Sequence, residues 1–284
     1  MIRTVGLHVQ SLLELFPDSD FRLHLTLRKG EPQEFFRGWD ESGRHLAERR
    51  HWLNSDPYTY AALSPEGEPI FAEFADLCRS WNLSDARVRS ELPNDARPAE
   101  RLRTLGQSLE PDLLFLSADH TGLFRLHGGA LCFPTGWALR DKLGHTLEYI
   151  HGVVPGLNDA LSSPINLFLS RLRPGAAFLR DNWGIAASDE LNHHPVRGLP
   201  MPTAPIDLSR LWLRVEHQAL IALPISRGIV FGIRISLHRL DDVVSDRSVA
   251  SGLARALASM SEAMVAYKRL DAIRSSLIKQ LTTA

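Results

Sequence analysis

"LWLRVEHQALIALPISRGIVFGIRISLHRL", residues 211–240, carries the plainest structural signal in the chain. Its second half alternates without a break: Ile229, Phe231, Ile233, Ile235 and Leu237 fall on one side, and Val230, Gly232, Arg234, Ser236 and His238 on the other. A period of two is the period of a β-strand. The first half opposes Leu213, Val215 and His217 to Arg214, Glu216 and Gln218. With "ISRG" as the turn, the stretch predicts a two-stranded antiparallel hairpin. An odd-numbered loop would set Arg234, Ser236 and His238 on the side of Arg214, Glu216 and Gln218. Such a polar row is either the wet face of a sheet or the lining of a pocket.

Working outward from the hairpin, "DLLFLS" (112–117) reads as a strand. "TGLFRLHGGALCF" (121–133) follows as two short strands about a turn at His127-Gly128-Gly129. "FLRDNWGIA" (178–186) is a further strand, and "NDALSSPINLFLSRL" (158–172) a helix interrupted or restarted at Pro164. Near the start, "FRLHLTLR" (21–28) alternates as a half-buried strand, followed by helical stretches around 41–51 and 68–81. The latter part of "SDARVRSELPNDARPAE" (84–100) is polar, carries two prolines and reads as a connection. Beyond Ser245, the residues Val249, Leu253, Leu257, Met260, Met264, Tyr267, Leu270, Ile273, Leu277 and Leu281 recur at steps of three and four. That spacing predicts one long amphipathic helix or a broken pair, packed on the sheet or on a second copy in a homo-oligomer. The fold class is α+β: five or six antiparallel strands with inserted helices. As a single domain it would comprise an N-terminal extension (1–105), a core (106–240) and a C-terminal helical segment (241–284).

Composition excludes several partners. The 284 residues carry a net charge of −1, with 44% hydrophobic and 23% charged residues, so no basic footprint for nucleic acid or an anionic membrane is present. The longest apolar runs, such as "INLFLS" (165–170), are too short to span a bilayer. "MIRTVGLHVQ" lacks the pattern of a secretory signal. Two cysteines, Cys78 and Cys132, give no disulfide framework and point to a reducing cytoplasm. Phosphate-loop, dinucleotide, nucleophile-elbow and zinc-peptidase motifs are missing. His193-His194, in "NHHPVRGLPMP", reads as part of a solvated loop in preference to a metal site.

What periodicity does not explain is "LCFPTGWALRDKLGHTLEYIHGVVPG", residues 131–156. It holds Trp137, Lys142, His145 and His151, and seven of the twelve histidines lie between positions 120 and 217. His151 is flanked by apolar residues, while Gly152 and Pro155 let the backbone approach a flat, bulky group and keep its direction. Two readings stand: a buried histidine satisfied by a backbone carbonyl, which the residues alone favour, and an iron ligand with a dry apolar wall. Arg180 and Asn182 likewise read as surface residues or as donors to the carboxylates of a ligand.

Five stretches, "EPDLLFL" (110–116), residues 131–156, "LRDNWGI" (179–185), "LRVEHQALIALPISRGIVFGIRI" (213–235) and "AYKRL" (266–270), resemble in that order the family of the α-subunit of haem-dependent oxidative N-demethylase. The resemblance rests on Phe133, Pro134, Trp137, Lys142, Leu143, Gly144, Ile150, His151, Val154 and Pro155, then Arg180, Asn182, Trp183, Glu216 and Gln218. It implies a PAS-like fold enclosing haem b and oxygen-dependent removal of a methyl group from a small secondary amine. Electrons would come from a separate flavin and iron–sulfur reductase. His151 becomes the axial iron ligand, and Glu216 the carboxylate that holds a protonated amine. Lys142, Arg180 and Arg214 become candidates for the haem propionates, with Trp137 among the cofactor-binding residues. The alternative within the same resemblance is a non-catalytic haem-binding sensor or partner subunit.

Overall fold

A computed structural model describes residues 9–83 and 96–283. A seven-stranded antiparallel sheet runs in the order β1-β5-β6-β7-β3-β4-β2. The strands are β1 (Arg28–Gly30), β2 (Ala61–Leu63), β3 (Asp112–Ala118), β4 (Phe124–Ala130), β5 (Ala177–Ala186), β6 (Trp212–Ala222) and β7 (Ile229–Arg239). With helices packed on both faces, the fold is α+β, and β6–β7 is the expected hairpin at the centre of the sheet. β1 and β2, both from the first 105 residues, cover the outer edges of β5 and β4, which would otherwise present unpaired backbone.

The loop joining β6 to β7, residues 223–228, is even-numbered, and this decides which side chains share a face. Glu216 pairs with Ile235, Gln218 with Ile233 and Arg214 with Leu237, whereas His217 pairs with Arg234 and Val215 with Ser236. Directly paired residues point to the same side of a sheet. The odd-loop condition is not met: Arg214, Glu216 and Gln218 stand among the apolar residues of β7, and Arg234, Ser236 and His238 belong to the opposite face.

Each face has its own cover. The Glu216 face carries Leu220, Ile233 and Ile235 beneath Leu131, Phe133, Leu139, Leu147 and Leu169 of the segment 131–171. At one end of the opposite face, Ala219, Ile221 and Val230 pack on Phe71, Phe74 and Cys78 of the helix Glu68–Ser80. At its other end Trp183, Leu213 and Val215 pack on the C-terminal helices. Between these clusters lies a polar row: Arg28 to Asp181 at 2.8 Å, Asp181 to His217 at 2.7 Å, His217 to Ser236 at 2.9 Å and Ser236 to His238 at 3.0 Å.

Three other local expectations change. The segment 21–28 keeps its alternating half-buried pattern, but only Arg28 enters a ladder, pairing with Leu179. Its period reported extended backbone, and extended backbone needs no strand partner. His127-Gly128-Gly129 is no turn but the interior of β4, with a bulge opposite Phe115 and Leu116. The two glycines are needed there because neighbouring strands approach closely: a Cβ on Gly128 would lie 2.6 Å from the Ala62 carbonyl oxygen, and one on Gly129 would collide with that of Leu113. The C-terminal stripe, expected as one long helix or a broken pair, comes as three helices, Arg247–Ser259, Glu262–Tyr267 and Arg274–Thr283. Met260 leaves the helical region, Ser261 caps the next helix by accepting from Met264 N, and Arg269 turns the chain at φ +57°.

Arg274 then donates to the carbonyls of Leu257, Ala258 and Met260 at 2.7–2.9 Å, satisfying the open end of the first of these helices. Each hydrogen bond forfeited at a break costs about 1 kcal/mol, while each apolar side chain buried contributes about 1.5–3 kcal/mol. Folding back therefore wins. Every residue of the predicted stripe except Tyr267 is buried. The helix Leu157–Arg171 runs through Pro164 without a restart. The connection expected in the latter part of 84–100 lies partly outside the described residues, and its end, from Pro98, already begins the helix Pro98–Gly106. Among the described residues no helix is long and apolar enough to cross a membrane.

Candidate functional site

The Glu216 face is assembled by a chain of buried polar contacts that starts at Asp112, the first residue of β3. Asp112 and Arg49 are both fully buried and pair at 2.5 Å, and Arg49 Nε also donates to the Gly106 carbonyl at 2.7 Å. A buried pair of this kind is a weak source of stability but a strong geometric constraint, because neither partner tolerates losing the other. The Asp112 carboxylate accepts from the backbone N–H groups of Cys132 (2.6 Å) and Phe133 (3.0 Å). "EPDLLFL" thus clamps the start of "FPTGW". Buried Cys132 has its thiol pushed up to about 12 by desolvation, which leaves it inert beside this clamp.

Arg214 tethers the next residues. Only 2% exposed, it donates through Nη2 to the carbonyls of Phe133 (2.8 Å) and Leu191 (2.9 Å), and through Nε to Thr135 Oγ1 (3.1 Å). Burial draws the guanidinium down to about 10, still charged at neutral pH. Its donors are engaged by protein oxygens, which makes it an organiser of the segments 133–135 and 190–191. Thr135 in turn donates to Glu216 Oε1 at 2.6 Å. Glu216 Oε2 accepts from Gln218 Nε2 (2.8 Å) and from Asn182 Nδ2 (3.3 Å) across the β5–β6 ladder.

Arg180 occupies the same face, paired with Gln218 one step along. Its half-buried guanidinium has no hydrogen-bond partner among the described residues; its pKa is lowered by burial, with Glu216 and Asp181 as the compensating charges. Opposite it, His151 ends the helix Leu147–His151, which Thr146 caps by accepting from Tyr149 N. A helix C-terminus favours a protonated imidazole, but here burial and the Arg180 charge prevail and pull His151 from 6.5 down to about 4. The imidazole is neutral, and neither ring nitrogen has a hydrogen-bond partner among the described residues. Leu143, Ile150, Ile165, Phe168, Phe178, Phe231 and Leu237 supply partly buried apolar surface to the cluster on this face.

The remaining expected residues lie at the margin. Half-buried Trp137 packs on the same cluster. The Lys142 ammonium sits 5.5 Å from the Tyr149 ring centroid, and His145 stacks on that ring at 3.9 Å. His217 faces away, with both ring nitrogens engaged by Asp181 and Ser236. Neighbours in "RDNW" divide the same way: Asn182 turns to Glu216, while Trp183 turns to Phe16 and to Lys268 of "AYKRL", whose ammonium donates to the Trp183 carbonyl at 2.6 Å.

The solvated-loop reading of His193-His194 holds only in part: Pro195, Val196 and Gly198 are exposed, but both histidines are half-buried. Leu191 and Asn192 are buried, Asn192 donates to the Tyr60 hydroxyl at 2.9 Å, and Gly136 N donates to the His193 carbonyl at 3.0 Å. This loop is stitched to "FPTGW" because Arg214 needs its carbonyls. Among the described residues no group of three or more His, Cys, Asp or Glu is arranged to hold a metal ion.

Residues 28–278 match the family described as haem-dependent oxidative N-demethylase, alpha subunit-like. The chain belongs to this family. The match spans all seven strands, both edge strands included, and all five stretches that carried the resemblance. Haem dependence gives the geometry above a criterion. In general, haem iron takes an unprotonated donor, propionates call for cationic side chains, and the macrocycle for apolar walls. His151, Arg180 and the cluster around Phe168 and Phe178 fit those needs, and Arg214, already bonded to carbonyls, fits the second less well.

Two half-buried histidines away from the candidate ligand make acid stability measurable. Desolvation holds His193 and His238 down to about 4, from 6.5. Because the folded values lie below the unfolded ones, the unfolded chain binds more protons between those two pH values. Stability is therefore fully present above pH 6.5 and declines as pH falls toward 4. The urea midpoint should drop between pH 7 and pH 4.5, and the slope should flatten in a His193→Gln, His238→Gln double variant. An equal slope in that variant would remove these two groups from the account.

Proposed function

We propose that this chain is a haem-dependent oxidative N-demethylase-like enzyme acting on a small secondary amine with O2 and external electrons. The observation that carries the reading is the convergence, on one face of the sheet, of an unprotonated and unpartnered His151, an unpartnered Arg180 and the triply hydrogen-bonded Glu216. The continuous antiparallel run β5-β6-β7-β3-β4 supports a PAS-like core, with 1–105 and 241–284 as parts of a single domain built around it.

His151 would ligate the iron of haem b, and Arg180 and Lys142 would meet its propionates, with Trp137 and the apolar wall against the macrocycle. When bound, the haem supplies the oxygen chemistry, and the protein supplies ligand, dielectric and orientation. Glu216 holds a protonated amine by opposite charge, offsetting the cost of desolvating it, and can accept a proton at its free lone pair. Thr135, Asn182 and Gln218 fix the carboxylate in place. A separate flavin and iron–sulfur reductase subunit would deliver electrons, in a cytoplasmic setting that keeps Cys78 and Cys132 reduced.

Haem reconstitution followed by small-amine turnover with a surrogate electron donor tests the reading. A Soret band and turnover are expected. A Soret band with no response to any amine would leave a haem-binding sensor, and no Soret band would remove the haem reading altogether.

Arg180 and Lys142 should differ in their salt dependence. Arg180→Met should weaken haem binding roughly tenfold, about 1.5 kcal/mol for a charge-assisted contact, and the loss should persist in high salt because the site is half-buried. Lys142→Met should cost less than about 1 kcal/mol and approach wild type as salt rises, since Lys142 stands at the margin beside exposed Tyr149, where charges are screened over about 10 Å at 0.1 M. Haem titrations at two ionic strengths check this; equal affinity of Arg180→Met and wild type at both would place Arg180 outside the propionate contacts.

A further inference from the structure

We propose that Thr135 is the positioning residue for Glu216, through a hydrogen-bond direction imposed by Arg214; its consequence for amine binding rests on the function proposed above. Arg214 Nε carries a proton and can only donate, so Thr135 Oγ1 must accept from it at 3.1 Å. The one hydroxyl proton of Thr135 is then committed to Glu216 Oε1, at 2.6 Å. A free hydroxyl rotates to suit its neighbours, but this one cannot, because reversing it would set its proton against a guanidinium N–H.

The backbone beneath Thr135 is fixed on both sides: Phe133 N donates to Asp112, Gly136 N donates to the His193 carbonyl, and Thr135 itself bridges to His193. The hydroxyl therefore sits on an anchored loop although its residue is exposed. A carboxylate offers about four lone-pair positions. Thr135, Asn182 and Gln218 take three of those on Glu216, leaving one for an N–H of a bound cation. The charged or titratable groups around Glu216 are Arg180, Arg214, Tyr267 and Lys268. Asn182 and Gln218 fill Oε2, so the free lone pair lies on Oε1, and Thr135 is the neutral contact that fixes its direction.

Thr135→Val removes the hydroxyl at constant shape, and Thr135→Ser restores it. The carboxylate stretching band of Glu216, isolated as the infrared difference between wild type and Glu216→Gln in haem-free protein, reports the hydrogen bond without relying on haem or amine. The band should move in Thr135→Val and return in Thr135→Ser, with unchanged urea midpoint in the serine variant. In reconstituted protein the amine-induced spectral change should need about tenfold more dimethylammonium in Thr135→Val, for the loss of one contact to a charged group. Haem affinity should stay at the wild-type level. An unmoved band in Thr135→Val, or a band that serine fails to restore, overturns the proposal whatever the amine data show. A band that moves and returns in a protein that never responds to amines upholds the positioning role and removes only the function on which its consequence rests.

Discussion

His151→Ala should abolish haem binding while the chain stays folded. Three properties together suit this residue to ligate a metal. Burial and Arg180 hold it unprotonated down to about pH 4, so its lone pair is available at any neutral pH. Its ring nitrogens have no protein partner among the described residues, and the apolar side chains Ile150, Phe168 and Phe178 stand on the same side of the sheet. By contrast, His217 spends both nitrogens on Asp181 and Ser236 on the far face, and His145 is stacked on exposed Tyr149. Outer partners of a metal ligand alone are worth about 10–100-fold in affinity, so deleting the ligand itself should exceed a hundredfold. Haem titration, circular dichroism and urea melts check it together, and added imidazole should restore part of the Soret band. If His151→Ala binds haem with wild-type affinity and spectrum, the ligand is another residue. If only the urea midpoint falls and haem affinity stays intact, His151 is a packed core histidine.

The sequence was most legible where one physical term dominates. The hairpin 211–240 and the C-terminal stripe are set by burial, and burial leaves a period. Neither period carried the next level of detail. The stripe Val249–Leu281 holds whether the helix is whole or broken, because only Met260, Arg269 and the long-range capping by Arg274 break it. Alternation in 21–28 reported a half-buried extended chain and was silent on whether a strand lies beside it.

The site followed the same rule. Glu216, His151 and Arg180 could be singled out as polar residues in apolar surroundings, and all three lie on one face. Which face depended on the parity of the loop 223–228, which local residue chemistry does not specify. Thr135, Asp112 and the loop carbonyls that engage Arg214 were hidden because their roles are long-range hydrogen bonds. A threonine between Pro134 and Gly136 has no local mark of touching a strand 81 residues away. The same gap explains Arg214: alternation placed it in a polar row and the resemblance made it a propionate candidate, and only the folded chain reveals the carbonyls that occupy it.

Glu216→Gln should separate holding haem from handling substrate. The carboxylate accepts from Thr135, Asn182 and Gln218, all neutral donors, so the protein already surrounds it with dipoles without neutralising it. Its negative charge answers Arg180, Arg214 and Lys268 around it and a cationic ligand at its free lone pair. Glutamine keeps the volume, and Asn182 and Gln218 can rotate their amides to present oxygen to its new N–H2, so the local fold should survive. Removing the charge takes away a charge-assisted contact of about 1.5–3 kcal/mol, roughly ten- to a hundredfold in amine affinity. It also removes the group placed to accept a proton from the bound amine, so turnover should fall further than affinity. The Soret band should be normal, because Glu216 meets no propionate in the proposed arrangement. Amine titrations of the reconstituted variant, followed by turnover at saturating amine, give the two numbers separately. Wild-type affinity and turnover in Glu216→Gln would exclude the role, whereas loss of haem in that variant would move Glu216 from the substrate side of the site to the cofactor side.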